Sequence, residues 1–96
     1  MNIDLTGKNA LIGGSSKGIG IAIAKRLASS GANVTMMARN VSALNKAVGE
    51  LDQSKGQIHQ YLVVNFSDYE TFTKQIEAYF EKNNIDILVN NTQGPP

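Results

Sequence analysis

Cysteine is absent from the 96-residue sequence, and histidine occurs once. The lack of cysteine excludes disulfide bonds and thiolate metal ligands, and it is typical of a protein from a reducing compartment. Because His59 has neither cysteine nor a second histidine to join it, we predict no metal site. His59 alternates with apolar residues in a predicted strand, which favours a structural or exposed role for it.

The sequence also lacks an excess of charge of one sign, since nine Lys and Arg residues face eight Asp and Glu residues. The basic residues are scattered and the aromatic residues are few, so neither a nucleic-acid nor a membrane partner is indicated. No apolar run approaches the roughly 18–20 residues of a membrane-spanning helix. The first residues show no signal-peptide pattern, and we expect a cytoplasmic protein.

Short apolar runs alternate with amphipathic segments along the chain, which predicts the order βαβαβαβ. Such alternation is typical of a parallel sheet with right-handed crossovers and helices on both faces. We therefore expect an α/β fold, a Rossmann-like doubly wound sheet with four strands in the order 3-2-1-4. The strands are predicted at residues 9–13, 34–38, 58–64 and 85–90.

Local signals predict where the helices begin and which faces they bury. Asn40 is expected to cap the second helix, and Ser67 with Glu70 forms a capping-box pattern before the third. Gly31 follows the first helix, where a positive φ is common. The residues expected to face inward are Ile19, Ile23 and Leu27 in the first helix, Val41, Leu44, Val48 and Leu51 in the second, and Phe72, Ile76, Tyr79 and Phe80 in the third.

The predicted architecture is an incomplete domain. The fourth strand is apolar but would lie at an unprotected sheet edge, which natural proteins usually cover or charge. We expect residues 1–96 to be the N-terminal, dinucleotide-binding part of a single domain, roughly its first two-fifths, with no second domain.

A glycine-rich loop follows the first predicted strand, with Gly14, Gly18 and Gly20 in the spacing Gly-x-x-x-Gly-x-Gly. Gly14 would permit the tight turn, Gly18 would let the backbone approach a pyrophosphate, and Gly20 would let the helix pack closely on the sheet. Free N–H groups and the helix dipole would hold the phosphates at the helix N-terminus. The alternative is a tight strand–helix turn without a ligand.

Two segments resemble the classical short-chain dehydrogenase/reductase family. One is the loop at 14–20 with the preceding residues 5–12, and the other is Asp-Ile-Leu-Val-Asn-Asn at 86–91, similar to the family's Asn-Asn-Ala-Gly motif. The resemblance covers the whole chain and is closest in style to the 3-oxoacyl-[acyl-carrier-protein] reductases. Two departures stand out: Gly13 replaces a frequent Thr, and Thr92-Gln93 replaces Ala-Gly.

Charge after the second strand favours NADP(H) as the cofactor. Arg39 stands where an NAD-dependent enzyme carries an acidic residue, and Lys17 lies in the glycine loop. Two cations without a carboxylate suit the 2′-phosphate of NADP. The alternative for either residue is an ordinary solvated charge.

The resemblance implies further cofactor contacts. Asn65 and Phe66 would lie against the adenine, although a simple polar strand end is the alternative, and Asn90 and Thr92 would lie along the nicotinamide ribose. Within the glycine loop the implied contacts are Gly14, Ser16, Lys17, Gly18, Ile19 and Gly20.

No catalytic residue is predicted. The resemblance implies a catalytic Tyr with a Lys four residues later, together with a Ser and an Asn. The residues four positions after Tyr61, Tyr69 and Tyr79 are instead Asn, Thr and Asn. The sequence therefore offers no general acid for the reaction.

Three hypotheses remain for the function. In the first, the chain is part of a longer NADPH-dependent reductase of a 3-oxoacyl thioester or similar small-molecule carbonyl, a homotetramer or homodimer when complete, as the resemblance implies. In the second, it is a catalytically inactive nucleotide-binding or regulatory module. In the third, it assembles with another chain that supplies the missing strands.

Overall fold

A computed structural model describes residues 3–14, 19–65 and 67–90 of the chain. Strands and helices alternate in it as predicted. The elements are β1 (Asn9–Gly13), α1 (Ile19–Ser29), β2 (Asn33–Ala38), α2 (Val41–Gly49), β3 (Gln60–Val63), α3 (Tyr69–Lys82) and β4 (Ile87–Asn90). No helix within the described ranges is long and apolar enough to cross a membrane.

The four strands form one parallel sheet in the order β3-β2-β1-β4, which confirms the predicted topology. β1 lies between β2 and β4 and is almost wholly buried, because its neighbours cover its edges and helices cover its faces. Gly13 at its end pairs with Met37 of β2 and with Asn90 of β4.

Alternate residues of the strands face two separate apolar cores. One face packs against α1 and α2 in a core whose buried members include Ala10, Ile12, Ala24, Ala28, Val34, Met36, Leu44 and Leu51. The other face packs against α3 in a smaller core of Leu11, Met37, Val64 and Tyr79, with Leu62, Phe72, Ile76 and Ile85 partly buried beside it. Helices thus lie on both faces of the sheet, as a doubly wound fold requires.

Gly31 follows the end of the first helix, as predicted, and the fold requires a glycine at this position. Gly31 has φ 104°, a conformation that side-chain-bearing residues rarely adopt. A Cβ there would also lie 2.7 Å from the Thr6 hydroxyl oxygen. Gly31 therefore lets the N-terminal segment pack against the turn between α1 and β2.

One of the two predicted helix caps is confirmed and the other is wrong. Asn40 caps α2, and its side chain accepts the Ala43 N–H at 3.0 Å. The cap of α3 is Asp68 rather than Ser67, because the Asp68 carboxylate accepts both the N–H and the hydroxyl of Thr71. The predicted capping box therefore does not start this helix.

Two residues predicted to face inward are instead exposed. Phe80 is 46% exposed because it lies about 100° around α3 from Tyr79, which points into the core. Val41 is 51% exposed at the start of α2, whose buried residues are Leu44 and Ala47. Both helices therefore bury a narrower stripe than their apolar content predicts. The side chain of Ile19 lies outside the described residues.

Side-chain amides link the strands at the amino-terminal edge of the sheet. Asn9 of β1 donates to the Asn84 carbonyl at 2.9 Å and accepts from the Asn33 amide at 3.1 Å. The Asn33 side chain in turn accepts the Ile58 N–H at 2.9 Å. Asp86 accepts the Asn9 N–H and donates its own N–H to the Asn9 carbonyl. These bonds tie β1 to the segments that lead into β3 and β4.

His59 has a structural role at the same edge, as predicted. Its Nδ1 accepts the Val34 N–H at 3.0 Å, so in the neutral ring the hydrogen is on Nε2. Nε2 lies 2.7 Å from the Asp52 carbonyl oxygen, to which it donates. The loop before β3 is thereby attached to the start of β2, and β3 begins at Gln60 rather than at Ile58.

We predict that Asn33→Ala lowers the free energy of unfolding by about 1–2 kcal/mol, because the Asn9 side chain and the Ile58 N–H each lose a hydrogen-bond partner. Urea unfolding of the variant and the wild type measures the difference. Asn45→Ala, at an exposed position in α2, is the matched control and should cause no loss. Equal effects of the two substitutions would contradict the structural role of Asn33.

A buried hydroxyl pair joins α3 to the sheet and supports a second prediction. The Tyr79 hydroxyl donates to the Thr35 hydroxyl at 2.7 Å, and both residues are buried. Tyr79→Phe or Thr35→Val alone should destabilise the protein by about 1–3 kcal/mol, since each substitution leaves the other residue's buried hydroxyl without its hydrogen-bond partner. The double variant should lose less than the sum of the two. Strict additivity in urea unfolding would show that the bond contributes nothing.

Candidate functional site

The carboxyl ends of the strands meet at one edge of the sheet and position the candidate site. Gly14, Arg39 and Asn65 follow β1, β2 and β3, and the parallel pairing places them along that edge. The Gly14 N–H donates to the Met37 carbonyl at 3.0 Å, and the Val64 N–H donates to the Ala38 carbonyl at 2.9 Å. Doubly wound sheets bind ligands at this edge, at the point where the strand order reverses. Here that point lies between β1 and β4.

The turn out of β1 has the geometry predicted for it. Gly14 has φ 113°, which only glycine adopts readily, and it is half-buried directly after Gly13. Gly20 is buried in the first turn of α1, and this turn contains no acidic residue. The N-terminus of an 11-residue helix therefore follows the turn without a carboxylate to oppose an anion.

The end of β2 carries a cation and no carboxylate. Arg39 is exposed there, and the chain has no Asp or Glu between it and Glu50. Glu50 follows the far end of α2, where its carboxylate lies 3.7 Å from the Lys25 ammonium. No acidic residue therefore stands close to Arg39 along this stretch of the sequence.

Asn65 is exposed two residues beyond the end of β3, and its contact with an adenine stays a prediction. Its side-chain oxygen accepts the Ser67 N–H at 3.0 Å, which closes a local turn. The side-chain nitrogen of an amide carries two further donors, so the residue keeps hydrogen-bonding capacity toward a ligand. The neighbouring carboxylate, Asp68, is used to cap α3.

Several predicted site residues lie outside the described part of the chain. These are Ser16, Lys17, Gly18, Phe66 and Thr92. Ile19 and Asn90 are placed only by their backbones, at the first residue of α1 and the last residue of β4. The cofactor contacts of these seven residues stay predictions, as do those of Gly14, Gly20, Arg39 and Asn65. Met37 was not among the predicted site residues, although its carbonyl holds the Gly14 N–H.

Two carboxyl groups have perturbed titration, and both lie away from this edge. The hydroxyl and the N–H of Thr6 hold the pKa of Asp4 below its ordinary value, and the N–H and hydroxyl of Ser54 do the same for Asp52. Both aspartates belong to turns near the amino-terminal edge of the sheet. Local turn bonds therefore explain the shifts. Among the described residues, no cluster of three His, Cys, Asp or Glu side chains could hold a metal ion.

Residues 8–94 match the family model described as short chain dehydrogenase. The chain belongs to this family. It is 36% identical over 91 residues to the 7alpha-hydroxysteroid dehydrogenase of Clostridium sardiniense, with 94% of this chain and 34% of that protein covered. It is 35% identical over 88 residues to the 3-oxoacyl-[acyl-carrier-protein] reductase of Chlamydia trachomatis, with 91% and 36% covered.

Solved structures of family members share the fold of this chain. The L-sorbose reductase of Gluconobacter frateurii, complexed with NADPH and L-sorbose, matches with a TM-score of 0.83 and 34% identity, covering 100% of this chain and 37% of that one. A 3-oxoacyl-(acyl-carrier-protein) reductase of Agrobacterium tumefaciens with NADP bound matches with a TM-score of 0.81 and 32% identity, covering 97% and 36%. The short-chain dehydrogenase chain described here thus spans about a third of the length of its relatives.

We predict that Gly14→Ala weakens NADP(H) binding about fivefold to hundredfold, because a Cβ at φ 113° is strained by about 1–3 kcal/mol. Calorimetric titration with NADP⁺ measures the affinity. Gly49→Ala is the control, since this glycine lies in α2 with open space around it and should be neutral or stabilising. An unchanged affinity in Gly14→Ala would show that the turn does not hold the cofactor.

Proposed function

We propose that this chain is the NADP(H)-binding part of a short-chain oxidoreductase that reduces a small-molecule carbonyl. One observation carries the proposal: a glycine turn, a helix N-terminus, an unopposed arginine and an amide lie along the carboxyl edge of one sheet. The glycine turn and the helix N-terminus suit the pyrophosphate of NADP(H), the arginine suits its 2′-phosphate and the amide suits its adenine. Solved relatives with NADPH or NADP bound support the choice of cofactor.

The pyrophosphate would lie at the N-terminus of α1. The first N–H groups of a helix have no intrahelical acceptor and carry the positive end of its dipole, so they favour an anion. Gly14 turns the chain from β1 toward this helix, and the implied contacts of Ser16 and Gly18 lie between them in the sequence. The turn and the helix end together form the phosphate site.

The 2′-phosphate would lie beside Arg39. A guanidinium binds a phosphate with two parallel charge-assisted hydrogen bonds, whereas a carboxylate at this place would repel it. The first turn of α2, which begins two residues later, also contains no acidic residue. Lys17 would add the second cation from the glycine loop. These charges support NADP(H) over NAD(H).

Asn65 and Phe66 would contact the adenine at the end of β3, and Asn90 with Thr92 would contact the nicotinamide ribose beyond β4. Bound NADPH supplies a hydride to the carbonyl carbon, and NADP⁺ accepts one in the reverse direction. The residues of this chain would bind and orient the cofactor at the switch point between β1 and β4.

The proton for the carbonyl oxygen would come from residues outside this chain. Tyr79 is unsuited to the task, because its hydroxyl is buried in the core and bonded to Thr35. Neither Tyr61 nor Tyr69 has a lysine four residues later. We therefore propose that residues 1–96 are the front part of one larger domain and are inactive alone. The complete enzyme would be a cytoplasmic homo-oligomer, without a nucleic-acid or membrane partner.

A 3-oxoacyl thioester is the first substrate to test, because reductases of oxoacyl-carrier-protein are among the relatives. The protein at its natural length should oxidise NADPH in the presence of such a thioester, and faster than NADH. NADPH binding without turnover on any carbonyl would favour an inactive nucleotide-binding module. Turnover only after addition of a second chain would favour assembly from two chains. Failure to bind either cofactor would overturn the proposal.

We predict that Arg39→Asp combined with Lys17→Ala reduces the NADPH-over-NADH preference by about tenfold to hundredfold, because charged hydrogen bonds to the 2′-phosphate are lost. Titrations with both cofactors give the ratio of dissociation constants. Lys46→Asp, a charge reversal at the exposed far end of α2, should leave the ratio unchanged. A double variant that keeps the wild-type ratio would disprove the phosphate clamp.

A further inference from the structure

At the end of β1, a methionine side chain from β2 occupies the space that a side chain at Gly13 would need. Gly13 is buried and pairs directly with Met37. A Cβ built on Gly13 would lie 3.0 Å from the Met37 Cε and 3.9 Å from the Val89 carbonyl oxygen. Carbon atoms in favourable contact are about 3.5–4.0 Å apart, so the methionine methyl already occupies the space that a side chain would need.

Met37 also holds the residue that follows. Its carbonyl accepts the Gly14 N–H at 3.0 Å, and Gly14 makes the turn at φ 113°. The same methionine therefore contacts Gly13 through its side chain and Gly14 through its main chain. Any shift of this segment of β2 displaces the point at which the glycine loop leaves the sheet.

The Met37 side chain is buried. It is 5% exposed and belongs to the core on the α3 side of the sheet, together with Leu11, Val64 and Tyr79. A branched side chain at Gly13 would have to displace either this packed methionine or the backbone of the turn. Protein interiors are close-packed, so such overpacking is resolved by shifts of backbone and side chains.

We propose that Met37 is the positioning residue of the dinucleotide turn. Its side chain occupies the volume beside Gly13 and so sets where Gly14 lies. The inference rests on the proposed cofactor site and adds a residue to it. Gly13 and Met37 form a complementary pair: a large side chain can come from β1 or from β2 at this point, but not from both.

A volume exchange across the two strands tests this pairing in the protein at its natural length. Gly13→Val should weaken NADP⁺ binding about tenfold, because the turn is displaced. A double variant that combines Gly13→Val with Met37→Ala moves the large side chain from β2 to β1, and the summed side-chain volume of the two positions stays similar. The double variant should bind NADP⁺ within about threefold of the wild type. Met37→Leu, which keeps the volume, should bind like the wild type. Isothermal titration measures the affinities, and thermal unfolding is recorded for each variant.

Met36→Ala separates positioning from stability. Met36 adjoins Met37 on β2 but is buried in the opposite core, on the α1 and α2 side. This substitution should lower the unfolding midpoint and leave the NADP⁺ affinity unchanged at temperatures where the variant is folded. If Gly13→Val does not fold, Gly13→Ala replaces it; its single Cβ requires the Met37 methyl to move a few tenths of an ångström, and about threefold weaker binding is expected.

These measurements distinguish a failure of the proposed function from a failure of the inference about Met37. A wild-type protein that is folded but does not bind NADP⁺ overturns the proposed function, and the inference with it. A wild-type protein that binds, with a double variant as weak as Gly13→Val, overturns the inference alone, because Gly13 is then required for another reason. A loss of NADP⁺ affinity in Met36→Ala as large as that in Gly13→Val would also overturn the inference, because any disturbance of the sheet would then weaken binding.

Discussion

The parallel pairing of β1 with β2 on one side and β4 on the other is the constraint on which the candidate site depends. Because the three strands run in one direction, their carboxyl ends lie at the same edge of the sheet. A slip of one residue in either pair would move every side chain of a strand to the other core. The register therefore decides both the packing of the two cores and the arrangement of Gly14, Arg39 and Asn65.

The two edges of the sheet differ in how their polar side chains are bonded. At the amino-terminal edge, the side chains of Asn9, Asn33 and His59 are bonded to backbone or to each other. At the carboxyl edge, Arg39 and Asn65 are exposed, and the first turn of α1 follows a glycine turn. Fully bonded polar groups fix the register, whereas exposed groups and helix N-termini can bind a ligand. The polar residues of one chain thus serve different purposes at opposite ends of the same strands.

The order of elements could be predicted because each strand and helix carries its own periodicity, and the prediction of Asn40 as a cap needed only a local signal. The wrong predictions concern pairs of adjacent residues of which either could take the role. Ser67 and Asp68 both have side chains suited to capping a helix, and Asp68 is the cap because its carboxylate accepts the N–H and the hydroxyl of Thr71. Phe80 is apolar enough to be buried, but α3 directs Tyr79 to the sheet and leaves Phe80 outside. The spacing of apolar residues predicts which face of a helix is buried to within one residue. Packing against the sheet decides whether the residue at the border of that face is buried or exposed.

The amino-acid sequence by itself determined the α/β alternation, the strand order, the membership of the short-chain dehydrogenase family and the cationic end of β2. These follow from local periodicity, from the rules for crossover connections between parallel strands and from residue identity, none of which requires knowledge of tertiary contacts. Only the tertiary structure decided that Met37 lies against Gly13, that His59 accepts the Val34 N–H, and that Leu88 is 64% exposed on the outer strand. Such contacts join residues that are distant along the chain, and they depend on the register and the packing of whole elements.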